Sequence, residues 1–147
     1  MTVEPIIDDL IESVISKQAI IAGDDPKLSL RYTILPEGGE SGGIALSLNF
    51  PGLIWFQVLC HGGKASTISI ILKVLSDYGL NIYPPPLIEL YSVVLIASDT
   101  ITTPDSWQTV TFNISPSVDT LYSLYIINRS NRATSPITLS SITVTEE

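Results

Sequence analysis

Apolar positions change their period once along this chain. From Glu4 to Gln18 they fall at Ile6, Ile7, Leu10, Ile11, Val14 and Ile15, the three- and four-residue steps of one helix face. Pro5 suits a first helical turn, where its missing N–H costs nothing. Asp8 and Asp9 sit near the positive end of such a helix and Lys17 near its negative end. Gly23-Asp24-Asp25-Pro26 stops it. The pattern predicts an amphipathic helix and linker over residues 1–23 and a separate domain over residues 24–147. A helix of about four turns does not stand alone, so it must pack on something. Two placements are open: over one end of its own domain, or against another subunit through Ile7, Leu10, Ile11 and Val14.

After Pro26 the period is two. Leu28, Leu30, Tyr32 and Ile34 alternate with polar residues, as do Ile44, Leu46, Leu48 and Phe50 beyond the loop PEGGESGG. LIWFQVLC, 53–60, is apolar on both faces and reads as a strand buried on both sides. TISIILKVL, 67–75, and LIELYSVVLIA, 87–97, read as one strand each, separated by the long loop SDYGLNIYPPP. Val110, Phe112 and Ile114 share one face of the next strand, and Tyr122, Leu124 and Ile126 one face of the following one. In ITLSSITV the parity slips at Ser140-Ser141, which predicts a bulge or bend. The sum is about eight short strands with turn signals between them and no helical crossovers, an all-β antiparallel sandwich or barrel.

Composition narrows the function. Apolar residues make up 45% of the chain and charged residues 15%, and mean hydropathy is +0.37. So few charges predict that some apolar surface is covered by a partner, in the first place other copies of the chain. With net charge −8 and seven Lys and Arg, the chain lacks the basic patch that nucleic acid or an anionic membrane requires. A single cysteine, Cys60, excludes an internal disulfide. The N-terminal residues do not have the pattern of a secretory leader, which predicts synthesis in the cytoplasm.

Candidate chemistry is sparse. Cys60 and His61 are the sole cysteine and histidine, but neighbours at a strand end point to opposite faces, which argues against a dyad. They are also too few for zinc, and neither a metal nor a cofactor is expected. The glycines of EGGESGG lack the lysine and helix of a phosphate cradle. Carboxylates concentrate in the helix and loops; Glu89, within LIELY, is the exception. No catalytic residue is assigned, and the chain is not expected to be an enzyme. Aromatic side chains beside polar ones are the features that suit sugar binding: Tyr78, Asn81 and Tyr83 in a loop that Pro84-Pro85-Pro86 would stiffen, with Trp107 at a strand start.

The run Trp107, Val110, Phe112, Ile114, then Tyr122, Leu124, Ile126, Asn128, then Ile137, Leu139, Ile142, Val144 resembles the closing strands of jelly-roll β-sandwiches of the carbohydrate-binding-module and galactose-binding type. The likeness spans residues 65–147. It implies a jelly-roll fold, and a glycan as partner. Those modules often carry acidic residues at the final bend, beside a structural calcium ion; here the bend is Ser140-Ser141. A small, acidic, disulfide-free sandwich with a docking helix also resembles head-decoration, spike and fibre proteins of tailed bacteriophages. That resemblance implies a structural virion protein: a trimeric capsid decoration (cement) protein, made in the host cytoplasm, bound to itself and to the major capsid protein. The alternative it leaves is a carbohydrate-binding module or the receptor-binding tip of a fibre, using Tyr78, Asn81, Tyr83 and Trp107.

Overall fold

A computed structural model describes residues 4–7, 31–35, 37–40, 42–43, 45–49, 53–130 and 137–147. Within them the chain forms β1 (Glu4–Ile7), β2 (Arg31–Leu35), β3 (Ala45–Asn49), β4 (Leu53–Cys60), β5 (Ser66–Val74), β6 (Leu87–Ser92), β7 (Val94–Thr100), β8 (Gln108–Ile114), β9 (Thr120–Ile127) and β10 (Ile137–Glu146). One sheet has the order β2-β3-β10-β5-β8, with β1 beside β10; the other runs β4-β9-β6-β7. Every pairing within the sheets is antiparallel.

Alternation dictates the layers. In β5 every second side chain from Ser66 to Val74 is buried, and its Ile68, Ile70, Leu72 and Val74 meet Ile54, Val58, Ile88, Leu90, Leu124 and Ile126 of the opposite sheet. Apolar burial between two sheets drives this fold and leaves an outer face on each. The result is the antiparallel β-sandwich that the sequence pattern predicts, of the jelly-roll kind that the resemblance implies.

The parity slip at Ser140-Ser141 is a β-bulge. Leu139 pairs with Leu72, and the next pair is Ser141 with Ile71. The extra residue lets Leu139, Ile142 and Val144 all face the core. It also turns Glu146 inward. The Ser140 hydroxyl accepts a hydrogen bond from the Glu40 N–H at 3.0 Å and so anchors the β2–β3 loop.

Three expectations change. Glu4–Ile7, assigned by its spacing to the start of a helix, is instead a strand, with Ile7 opposite Val144. A four-residue segment has weak helical preference, and here it covers the edge of β10 that β3 leaves open. Leu10, Ile11 and Val14, with the rest of the proposed helix, lie outside the described residues.

LIELYSVVLIA is two strands, not one. The chain reverses at Val93, whose φ is 67°, between the paired residues Ser92 and Val94. A β-branched residue in the left-handed region is costly, and no Gly or Asn marks the turn. Finally, β4 is not buried on both sides: Ile54, Val58 and Cys60 face the core, while Gln57 and Leu59 are exposed and Trp55 is half-buried.

Candidate functional site

The outer face of the β4-β9-β6-β7 sheet collects the side chains that can contact a ligand. Strand registers set two rows across it. Trp55 lies opposite Tyr125, Tyr125 opposite Glu89, and Glu89 opposite Ser98. In the next row Gln57 lies opposite Ser123, Ser123 opposite Tyr91, and Tyr91 opposite Leu95. Neighbouring strands lie about 4.8 Å apart, so each row brings its side chains into one patch.

Contacts within the patch hold it in shape. The Tyr91 and Tyr125 rings meet edge to face, with centroids 5.4 Å apart and an interplanar angle of 83°. The Tyr91 hydroxyl donates to Glu89 Oε2 at 3.0 Å, and this bond to a carboxylate raises the phenol above its usual pKa. Gln57 Nε2 donates to Ser123 Oγ at 3.3 Å. The indole N–H of Trp55 is buried with no hydrogen-bond partner among the described residues, a cost of about 1–3 kcal/mol. Glu89 is the sole charged side chain in the two rows. The patch therefore offers three rings, three neutral polar side chains (Gln57, Ser98 and Ser123) and one carboxylate, and it holds no cation for an anionic ligand.

The loop residues expected to bind sugar are not gathered into one surface. Tyr78 is fully buried and is corrected to a core residue. Its hydroxyl donates to the Pro84 carbonyl at 2.8 Å and accepts from the Arg129 N–H at 3.0 Å. With Arg129 Nε donating to the Pro85 carbonyl at 2.8 Å, it pins the long loop to the chain after β9. Tyr83 packs half-buried against the core, and Asn81 is exposed. Trp107, just before β8, lies under Lys73, whose Nζ is 4.7 Å from the ring centroid. The signal for the actual patch was present in the sequence: Trp55, Glu89, Tyr91, Ser123 and Tyr125 are same-parity positions in three strands. It could not be read without knowing that those strands are neighbours.

At one end of the sandwich the sole histidine meets the inward-turned carboxylate. His61 Nδ1 lies 2.7 Å from Glu146 Oε1 and 3.0 Å from Oε2, and Lys64 Nζ lies 3.9 Å from Oε1. Cys60 points the other way, into the core, and burial pushes its thiol up, which makes it unreactive. Cys60 and His61 therefore form no dyad. Among the described residues no three His, Cys, Asp or Glu side chains cluster as a metal site would need.

The hydrogen bond from His61 holds the Glu146 carboxyl below its ordinary range, against the opposing effect of burial. A carboxyl with a depressed folded pKa stabilises the fold above the ordinary carboxylate range, and that contribution is lost as pH falls through the folded value. The thermal midpoint is therefore expected to fall more steeply below about pH 4.3 in the wild type than in Glu146→Gln. Parallel acid limbs for the two proteins would show that the His61–Glu146 contact contributes nothing.

No family model matches the chain, and no curated protein matches it. Solved structures do share its fold. A CBM4 carbohydrate-binding module is 18% identical, with a TM-score of 0.57 over 87% of this chain and 84% of that one. The CBM22-1–GH10 modules of Clostridium thermocellum endo-1,4-β-D-xylanase 10B, complexed with xylohexaose, are 11% identical with a TM-score of 0.60. The match covers 87% of this chain but 26% of that larger protein. A Stig cyclase from Fischerella sp. TAU is 11% identical, with a TM-score of 0.56 over 88% of this chain and 81% of its own. Identities this low speak of fold alone, and the cyclase marks how widely the fold is used. The chain thus has the jelly-roll β-sandwich fold found in carbohydrate-binding modules.

Proposed function

We propose that this chain is a carbohydrate-binding domain, not an enzyme, that takes a neutral oligosaccharide across the outer face of β4, β9 and β6. The observation that carries this reading is the grouping of Trp55, Tyr125 and Tyr91 with Glu89, Gln57 and Ser123 in two adjacent rows. The apolar C–H faces of sugar rings stack on the aromatic side chains, and hydroxyls bond to the carboxylate, amide and Ser123. The absence of Lys and Arg from the two rows favours an uncharged ligand. The xylohexaose bound by the xylanase modules lends the reading further support.

The capsid-decoration reading has less behind it. Of its four contact residues, Ile7 belongs to a paired strand, and the other three lie outside the described residues.

Tryptophan fluorescence tests the proposal directly, because the chain has two tryptophans, Trp55 in β4 and Trp107 just before β8 of the other sheet. Soluble xylans, glucans and mannans are titrated into the wild type and into Trp107→Phe. The expected result is a saturable change with at least one neutral polysaccharide, retained in Trp107→Phe, where Trp55 is the reporter. A response confined to Trp107, or none with any polysaccharide, overturns the assignment.

A further inference from the structure

Glu89 is the one carboxylate of the ring-bearing patch, and among the described residues no cation pairs with it. The described cations stand elsewhere. Lys64 lies beside Glu146, Lys73 over Trp107, Arg129 is bonded to the Pro85 carbonyl, and Arg31 belongs to β2 of the other sheet. Glu89 is half-buried, so it has lost part of its hydration with no opposite charge in exchange. Its Oε2 accepts from the Tyr91 hydroxyl at 3.0 Å. Its Oε1 has no hydrogen-bond partner among the described residues.

Two rings flank this carboxylate. Tyr125 lies opposite Glu89 on β9, and Tyr91 follows two residues along β6 on the same face. Their rings meet at 83°. In such a contact one ring presents its edge, and both of its faces stay clear of the other ring. An aromatic face is the negative part of the ring and attracts a cation placed over it. A carboxylate with a free oxygen, between ring faces, suits a protonated amine better than it suits a hydroxyl. An anionic sugar is turned away here by Glu89 and by a chain of net charge −8.

We infer that the Glu89–Tyr91–Tyr125 corner is an ammonium subsite, which takes a sugar unit bearing a protonated amine within an otherwise neutral oligosaccharide. An amine in place of one hexose hydroxyl changes the shape of the unit little, so the unit fits where a neutral one does. Its N–H groups donate to Glu89 Oε1 in charge-assisted bonds, and its charge lies against the tyrosine rings. Acetylation of the amine removes the charge and with it the preference. The inference rests on the carbohydrate reading of this face and names the class of sugar that the corner selects.

The experiment is calorimetric titration with three oligosaccharides of one length and linkage, built of glucose, of N-acetylglucosamine and of glucosamine. It is run at about pH 5.5, where the amine carries its proton, on the wild type, Glu89→Gln and Glu147→Gln. Glu147 is an exposed acid beyond β10 of the other sheet, so its variant changes the net charge equally and leaves the corner intact. The wild type and Glu147→Gln are expected to bind the glucosamine oligomer about tenfold more tightly than either neutral one, a difference of about 1.4 kcal/mol. Glu89→Gln is expected to bind all three about equally. Should Glu89→Gln fail to fold by circular dichroism, Tyr125→Leu decides, since it keeps the carboxylate and is expected to lose most of the preference with the ring. Neutral oligomers bound as tightly as the amine-bearing one overturn the inference and leave the carbohydrate reading standing. A preference that survives Glu89→Gln, or falls equally in Glu147→Gln, overturns it too, because net charge alone then explains it. Binding of the glucosamine oligomer alone, lost in Glu89→Gln, upholds the subsite and overturns the neutral reading. No binding of the glucosamine oligomer overturns the inference whatever the neutral oligomers do.

Discussion

Replacing Trp55 with alanine is expected to weaken oligosaccharide binding by roughly thirty-fold or more, the loss of about 2 kcal/mol that a large aromatic anchor carries. Trp55 is the largest ring of the patch and sits at the end of the Trp55–Tyr125–Glu89 row. Its truncation removes stacking area and leaves Tyr125 without its cross-strand neighbour. The fold is expected to survive, because Trp55 is half-buried on the outer face while Ile54 keeps its place in the core. Calorimetric titration of wild type, Trp55→Ala and Trp107→Ala with the best-binding oligosaccharide measures this. A Trp55→Ala variant within threefold of the wild type, with Trp107→Ala the weaker binder, would move the site to the far sheet.

The largest expected loss of stability is that of Ile70→Ala. Ile70 is fully buried at the middle of β5, between Ile142 of β10 and Val110 of β8. Both neighbours are held in paired strands, so the cavity cannot close, and the expected cost is about 2–5 kcal/mol. Ile71, one residue on, points to the outer face and is half-buried. Ile71→Ala is expected to cost less than about 1 kcal/mol, since it leaves no cavity. Urea unfolding of both variants gives the comparison, and equal losses would mean that the two faces of β5 are wrongly assigned.

How far the sequence could be read follows from what periodicity reports. Alternation places β4, β5, β8, β9 and β10 within a residue or two, and even the bulge at Ser140 shows as a slip of parity. It fails where two physical states give the same pattern. An outward Trp55 or Leu59 has the apolar signature of a core residue, so β4 looked buried on both sides. The turn at Val93 has no turn residue, because tertiary pairing of β6 and β7 holds a valine at positive φ. The loop tyrosines misled for a related reason. Tyr78 is amphipathic, and its ring enters the core while its hydroxyl ties two loops together. The ring-bearing patch needs the order β4-β9-β6, which links residues some seventy positions apart and which no local pattern states.

The place of β10 bears on how the molecule is made. It lies between β3 and β1 on one side and β5 on the other, yet it is synthesised after all of them. Until it emerges, the nascent chain can form the β2–β3 hairpin and the β5–β8 pair, but these two halves lack the strand that joins them. β3 and β5 then wait with open apolar edges, a state prone to pairing with other chains. Closure of this sheet requires contacts across most of the chain, which places its folding in the slow, millisecond-to-second range of all-β domains. The opposite sheet needs only β4, β6, β7 and β9, so on the ribosome the ring-bearing face has all its strands before the sheet behind it has its middle.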